Sequence, residues 1–401
     1  MRPLLALLLT ATAFAALAPS AAAAPKGHRD VLVVSNNWAG TADLIDPHTF
    51  KRLARINVIP DKRKRIAEIE KDPTAKSVFD FVRANIGEGH NQYVDDGFTS
   101  SNGRYVYFSR PSFADVVAID LRTRKIAWRV KVDGYRSDHM GLSPDGRRLL
   151  VSASTARNVN VIDTRRGRIV ARFPSGDQPH ENNFSKDGKL IFHASIGPVY
   201  SPTDDPSEDA TKAERVFEIV DARTYEVKRR IVMGPKLAEF GRPGMSSAVR
   251  PMAIAPGERF VYYQVSFFHG FVEYDLLEDR VTRLATLPKR TTVTREQYVL
   301  DSAHHGLSIN PRGELLCAAG TMDDYAAIVS RASFGYQFVD VGEKPYWATN
   351  SGDGKYCFVS VSGADAVSVI SYRTMKEVAR VSVGDHPQRM RMGKIRRSYL
   401  R

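Results

Sequence analysis

A repeated β-hairpin pattern is the feature that most constrains the fold of this 401-residue chain. Its units share a short strand, a tight Asp-Gly-type turn and a second strand rich in β-prone residues. The clearest are GLSPDGRRLLVSAS (141–154), NFSKDGKLIFHAS (183–195), SINPRGELLCAAG (308–320) and TNSGDGKYCFVSVS (349–362). Segments 98–109 and 253–266 match more loosely, and a second hairpin follows each unit. Repeated units of four strands predict a β-propeller.

The spacing of the turns gives the number of blades. The turns fall at 103, 146, 188, 258, 313 and 354, so the gaps are 43, 42, 70, 55 and 41 residues. The shortest gaps suit one four-stranded blade, and the longer ones indicate insertions. A further blade is split, because segments 30–36, 41–46 and 50–58 lack an inner strand that 386–393 would supply.

We therefore predict an all-β fold, a seven-bladed β-propeller of four-stranded blades. Its first blade is closed by N- and C-terminal strands, which removes exposed sheet edges. One propeller domain spans 25–401 and carries a small helical insertion at 59–89.

Short strings before the inner strands suggest a family. GDQP (176–179), GEKP (342–345) and GDHP (384–387), together with SPDG (143–146), resemble the YVTN-type bacterial seven-bladed β-propeller repeat family. The resemblance covers nearly all of residues 25–401, although the string YVTN itself is absent. It implies the fold without implying one function, because related propellers include lactonases, haem d1 proteins and amine dehydrogenase subunits.

One polar residue recurs near the start of each inner strand, eight positions before the turn. In the split blade, the residue after Pro387 takes that place. A passive, water-filled channel would also be polar, but these are the residue types that sites use as acids, bases and anion-binding groups. We predict that they form a ring around the axis and a candidate ligand pocket: Asp95, Asp138, His180, Arg250, His305, Tyr346 and Gln388. Arg250 with its two flanking histidines could hold a carboxylate or phosphate.

A one-residue shift of the strands would change the chemistry of this ring. Alternation along a strand predicts that His139 faces a blade wall while Asp138 faces the axis, and a shift would exchange the two. The same ambiguity affects His304 and His305. If His90 overhangs the channel, four histidines become a candidate metal site: His90, His139, His180 and His305. The neighbours Asp95, Asp138 and His180 are a second candidate set for a divalent metal.

Four long insertions fall on the face of the propeller that carries the ring. They span 59–89, 196–214, 235–249 and 289–303. The first contains two predicted helices, the second of which begins with Asp72 as N-cap and Pro73 at its first position. Because long loops on a rigid scaffold tend to carry function, we predict a partial lid over the ring.

The N-terminus predicts export. Met1 to Ala24 combines one early arginine, a short apolar run and an A-x-A cleavage region, as in a secretory signal peptide. We expect a secreted or extracytoplasmic monomer without a transmembrane segment. Cys317 and Cys357 could then form a cross-blade disulfide or remain buried free thiols.

Composition narrows the partners and cofactors. The net charge of +13 favours a small anionic ligand or a cell-envelope component, and no nucleic-acid-binding motif accompanies it. No CxxCH string is present, which argues against covalent haem. The cofactor is otherwise unknown, and the candidate metal sites are compatible with a divalent ion.

Two classes of function remain open. We predict a binding or scaffold protein with its pocket at the insertion-covered mouth of the channel. The alternative is an enzyme that uses the polar ring, as a metal-assisted oxidoreductase or a lactonase-like hydrolase or lyase. No catalytic residue is assigned.

Overall fold

The computed structural model describes residues 27–201 and 211–400, so the predicted signal peptide lies outside the described residues. Within them, strands β1 to β28 form seven four-stranded antiparallel sheets arranged as successive blades. The predicted seven-bladed β-propeller is confirmed.

Each blade is numbered in chain order. Blade 1 contains β1 (His28–Asn36), β2 (Thr41–Ile45), β3 (Arg52–Asn57) and the C-terminal β28 (Pro387–Arg396). Blade 2 contains β4 (Gly97–Thr99), β5 (Tyr105–Arg110), β6 (Asp115–Asp120) and β7 (Lys125–Lys131). Blade 3 contains β8 (Ser137–Leu142), β9 (Arg148–Ala153), β10 (Asn158–Asp163) and β11 (Arg168–Pro174). Blade 4 contains β12 (Pro179–Phe184), β13 (Leu190–Ser195), β14 (Phe217–Asp221) and β15 (Val227–Ile231).

The remaining blades follow the same order. Blade 5 contains β16 (Val249–Ile254), β17 (Phe260–Val265), β18 (Gly270–Asp275) and β19 (Arg280–Thr286). Blade 6 contains β20 (Leu307–Ile309), β21 (Leu315–Gly320), β22 (Tyr325–Ser330) and β23 (Tyr336–Asp340). Blade 7 contains β24 (Pro345–Asn350), β25 (Tyr356–Val361), β26 (Ala366–Ser371) and β27 (Lys376–Ser382).

The two ends of the chain close the ring in blade 1. β28 is the innermost strand there and pairs antiparallel with β1, in a register that runs from His28 opposite Arg396 to Val34 opposite Met390. This pairing supplies the inner strand that the N-terminal segments lack, as predicted.

The hairpin turns explain the glycines of the repeat. Gly146 and Gly354 have φ values of 70° and 68°, a left-handed conformation that residues with a Cβ rarely adopt. Glu258 takes the same place in blade 5 with φ of 57°. Near the axis a different constraint applies: a Cβ on Gly306 would lie 2.7 Å from the Cα of Trp347, so glycine lets neighbouring inner strands approach closely.

Three α-helices lie in the insertions of the described chain: α1 (Lys62–Ile69), α2 (Pro73–Asn85) and α3 (Met233–Glu239). The Asp72 side chain accepts hydrogen bonds from the backbone N–H groups of Thr74 and Ala75, so the predicted N-cap is confirmed. No helix in the described ranges has the length and apolar character needed to span a membrane.

A disulfide joins two neighbouring blades. Cys317 in β21 and Cys357 in β25 are fully buried, and their Cα atoms lie 6.5 Å apart. Of the two alternatives left open by the sequence, the bonded one is found. The bond closes a loop with a sequence separation of 40 residues.

We expect the double variant Cys317→Ala, Cys357→Ala to lower the free energy of unfolding by roughly 2–4 kcal/mol, because the unfolded chain regains the entropy of an open loop. Chemical denaturation of both proteins measures this difference. As a control, dithiothreitol should lower the Tm of the wild type and leave that of the double variant unchanged. Equal stabilities without reductant would contradict the prediction.

Candidate functional site

The seven predicted ring residues line one enclosed cavity at the start of the inner strands. The cavity has a volume of ≈ 30 Å³, and all seven side chains are buried. The structure therefore brings the whole predicted ring together. Its role in ligand binding remains a prediction.

Register breaks in the inner strands shape the cavity. In blade 3 the pairing of β8 with β9 shifts between Ser137 and Met140, and in blade 4 the pairing of β12 with β13 shifts between Pro179 and Asn182. Such a bulge interrupts the alternation of side chains, so two consecutive residues can face the same side. Asp138 and His139 accordingly both line the cavity, and the expectation that His139 faces a blade wall is wrong.

The same irregularity recurs in blades 1, 5 and 7, where the register shifts at the ring position. In blade 1 it brings Arg389 into the lining beside Gln388. In blade 6 the predicted alternation holds, because His305 lines the cavity while His304 turns away to contact Asp323.

Three imidazole rings gather at the cavity. The ring centroids of His139 and His180 are 3.6 Å apart, and that of His305 lies 5.7 Å from His180 and 6.3 Å from His139. Burial lowers the pKa of each imidazole well below its usual value, and the nearby Arg389 guanidinium lowers it further. All three rings are therefore neutral at physiological pH.

His139 is oriented by a carboxylate. Its Nδ1 lies 2.8 Å from Oε2 of the buried Glu181, and its Nε2 lies 3.6 Å from Oδ1 of Asp138. Three potential ligand atoms, one each from Asp138, His139 and His180, lie within 4.8 Å of one another. A carboxylate on the outer nitrogen of a histidine is typical of metal sites, so these residues fit a divalent metal.

The fourth histidine of the predicted metal set lies elsewhere. The structure does not bring His90 to the other three; its ring stacks on Trp38 with a centroid distance of 3.9 Å. His386 stacks on the indole as well, at 3.7 Å. The candidate donors at the cavity are therefore His139, His180 and His305, without His90.

Arginines balance most of the buried carboxylates. Arg389 Nε donates to Asp95 Oδ2 at 3.2 Å, and Arg136 Nη1 donates to Asp138 Oδ2 at 2.9 Å. Arg250 differs, since its Nη1 and Nη2 each donate to the carbonyl oxygen of Leu300 at 2.7 Å. Arg136, Glu181 and Arg389 were missed from the sequence, because each lies one or two positions from a predicted ring residue and only a bulge or strand end brings it to the site.

Three of the four insertions cover the cavity, which agrees with the predicted lid. Segment 59–89 contributes Ile86, segment 196–214 contributes Tyr200 and segment 289–303 contributes Leu300 to the lining. None of the described residues 235–249 lines it. The insertions also contact each other, because the ring of Phe81 packs edge-on against Tyr200 at 4.8 Å.

A second cavity of ≈ 530 Å³ opens at the other end of the inner strands. Trp347 lies between the two: its ring lines this larger cavity and is 6.2 Å from the ring of His139. The guanidinium carbons of Arg389 and Arg391 lie 4.3 and 5.0 Å from the centre of the indole. The indole and the two guanidinium groups thus lie between the larger cavity and the histidines of the axial cavity.

Comparisons with known proteins support the fold. No family model matches the chain, and no curated protein matches it. Among solved structures, Kuenenia stuttgartiensis hydrazine synthase has a TM-score of 0.55 and 17% identity, over 72% of this chain and 86% of that one. Dihydro-heme d1 dehydrogenase NirN in complex with DHE has a TM-score of 0.53 and 11% identity, over 88% of this chain and 63% of that one. At these identities the likeness shows the fold alone.

Asp95 gives the site a pH dependence. Burial and the nearby carboxylates Asp138 and Asp96 raise the pKa of Asp95 from 3.8 to about 7, against the opposing effect of Arg389. Folded Asp95 then keeps its proton up to about pH 7, whereas the unfolded chain releases it near pH 3.8. Stability contributed by the protonated carboxyl is therefore lost as pH rises through this window.

We expect the Tm of the wild type, relative to that of Asp95→Asn, to fall as pH rises from about 4 to about 7. Differential scanning fluorimetry across this range measures the difference, and comparison of the two proteins at each pH cancels the titration of all other groups. Parallel pH profiles would contradict the prediction.

Proposed function

We propose that the axial cavity binds a small oxyanion of the carboxylate or bicarbonate class. One observation carries this proposal. Four nitrogen atoms of the lining side chains are buried without a hydrogen-bond partner in the described chain, whereas no lining oxygen there is: Arg136 Nε, His180 Nδ1, Arg250 Nε and Arg389 Nη1. The three arginine nitrogens can only donate, and His180 Nδ1 donates in one of the two neutral tautomers. Buried polar groups are nearly always paired, so the cavity is short of acceptors.

The charge balance favours the same ligand. Asp95 and Asp138 are each matched by an arginine, but Arg250 forms no ion pair with any carboxylate in the described part of the chain. The hydrogen bonds of the buried Arg250 guanidinium all go to neutral oxygens, so carboxylates offset its charge only at longer range, from Asp301 and Asp138. An anion in the cavity would compensate the charge of Arg250, and the anion would bind more strongly when Asp95 is protonated.

The size of the cavity limits the ligand. A volume of ≈ 30 Å³ accommodates about two water molecules, which is close to the size of formate or bicarbonate. A longer carboxylate would have to displace the insertions at Tyr200 or Leu300. We therefore propose a ligand of a few heavy atoms, held by the partnerless nitrogens of Arg389 and His180.

Export and family membership are part of the proposal. The disulfide between Cys317 and Cys357 is typical of oxidising compartments, and it supports export by the N-terminal segment Met1 to Ala24. Together with the strings before the inner strands, the seven blades favour a monomeric, extracytoplasmic propeller of the YVTN type.

We expect formate or bicarbonate to bind with one site per chain, measured by isothermal titration calorimetry, and Arg389→Met to weaken binding by about 10- to 100-fold, because hydrogen bonds to charged groups contribute about 1.5–3 kcal/mol. Affinity should also increase as pH falls through 7, when Asp95 gains a proton. The surface variant Arg157→Met is the matched control. Absence of anion binding, or equal affinity of both variants, would refute the proposal.

A second candidate function is metal-assisted catalysis, favoured by the cluster of Asp138, His139 and His180. A divalent metal bound there would act as a Lewis acid or activate water, as in hydrolases and lyases. We expect a stoichiometric metal that is lost in His180→Ala, measured by elemental analysis of purified protein. Metal-free protein whose Tm does not respond to added divalent ions would contradict this candidate.

A further inference from the structure

A second cluster of histidines and a carboxylate lies outside the axial cavity. His269 belongs to the connection between β17 and β18, Asp323 to the connection between β21 and β22, and His304 precedes β20. Three separate segments of blades 5 and 6 thus meet at one point. None of the three residues lines the axial cavity.

The nitrogens of both histidines converge on one carboxylate oxygen. Asp323 Oδ2 lies 2.6 Å from His269 Nδ1 and 2.9 Å from His304 Nε2, and the three ligand atoms lie within 4.8 Å of one another. The histidine and carboxylate side chains are 12%, 0% and 0% exposed, so only the edge of His269 reaches solvent. This edge provides a path by which an ion could enter.

Outer hydrogen bonds orient two of the three side chains, whereas His304 Nδ1 has no hydrogen-bond partner among the described residues. Asp323 Oδ1 accepts hydrogen bonds from the backbone N–H groups of Arg290 and Thr291 at 2.7 and 3.0 Å. His269 Nε2 lies 2.9 Å from the hydroxyl of Tyr298. Outer hydrogen bonds of this kind fix the orientation of metal ligands, and here they direct His269 Nδ1 and Asp323 Oδ2 towards the centre of the cluster.

The buried charge of Asp323 needs a counter-ion. Its ion-pair partners in the described part of the chain are the two imidazoles, with no lysine or arginine among them. A fully buried carboxylate is costly unless a cation compensates it. A divalent ion between one carboxylate and two imidazoles would supply that charge.

We infer that His269, His304 and Asp323 bind a divalent transition metal of the zinc class. Two nitrogens and one carboxylate oxygen suit zinc and its neighbours better than calcium or magnesium, which prefer oxygen ligands. Three protein ligands leave one coordination position for water or another small ligand. The site shares no residue with the proposed anion site.

This metal would also stabilise the lid. The cluster holds the start of the insertion 289–303 through the backbone of Arg290 and Thr291, and a later point of it through the hydroxyl of Tyr298. The same insertion presents the Leu300 carbonyl to Arg250 in the axial cavity. Metal binding at the cluster would thus fix the part of the lid that positions Arg250.

The test uses the mature chain, stripped with a chelator and then titrated with Co²⁺ or Zn²⁺. We expect tight binding, the visible absorption of four-coordinate Co²⁺, and a rise in Tm on the order of 5 °C. His180→Ala serves as the background, since it removes the candidate metal site at the axial cavity. Adding His269→Ala to His180→Ala should remove one further equivalent of bound metal. It should also abolish the remaining rise in Tm that added metal causes.

A second variant distinguishes loss of the metal site from misfolding. His269→Gln keeps a side chain that can hydrogen-bond to Tyr298 but lacks the imidazole, so it should fold like the wild type by circular dichroism and still lose the metal. Equal metal content in His180→Ala with and without His269→Ala, or with and without His269→Gln, would overturn the inference. The inference would also be overturned if the wild-type protein bound neither Co²⁺ nor Zn²⁺.

Discussion

The pairing of β28 with β1 is the constraint on which the rest of the structure depends. It joins the two ends of the chain, and it places Gln388 and Arg389 in the axial cavity. The last strand therefore completes both the ring of blades and the polar lining. Because Gln388 and Arg389 belong to β28, the lining of the cavity is complete only when this strand has paired with β1.

The architecture could be predicted from the sequence because it depends on local chemistry. Turns that require a positive φ recur at Gly103, Gly146 and Gly188, and β-prone strands flank them. The ring could also be predicted, since its residues hold a fixed distance from those turns. The capped helix at Asp72 follows from equally local rules, whereas the sequence left open whether Cys317 and Cys357 are bonded or free.

The finer composition of the site could not be predicted in the same way. A bulge depends on how two neighbouring strands pair, and the alternation of residues in one strand does not reveal it. Asp138 and His139 were therefore treated as alternatives, although both line the cavity. His90 was misleading for a different reason: its position depends on stacking against Trp38, a tertiary contact with no signature in the sequence.

The indole of Trp347 separates the axial cavity from the broad cavity at the opposite face. An occupant of the axial cavity that does not pass this indole exchanges with solvent beneath the insertions that line the cavity, at Ile86, Tyr200 and Leu300. The residence time of an occupant is then controlled by how often the insertions separate, at contacts such as Phe81 with Tyr200 and Lys212 with Asp301. Affinity and exchange rate are set by different residues, so either can change in evolution without the other.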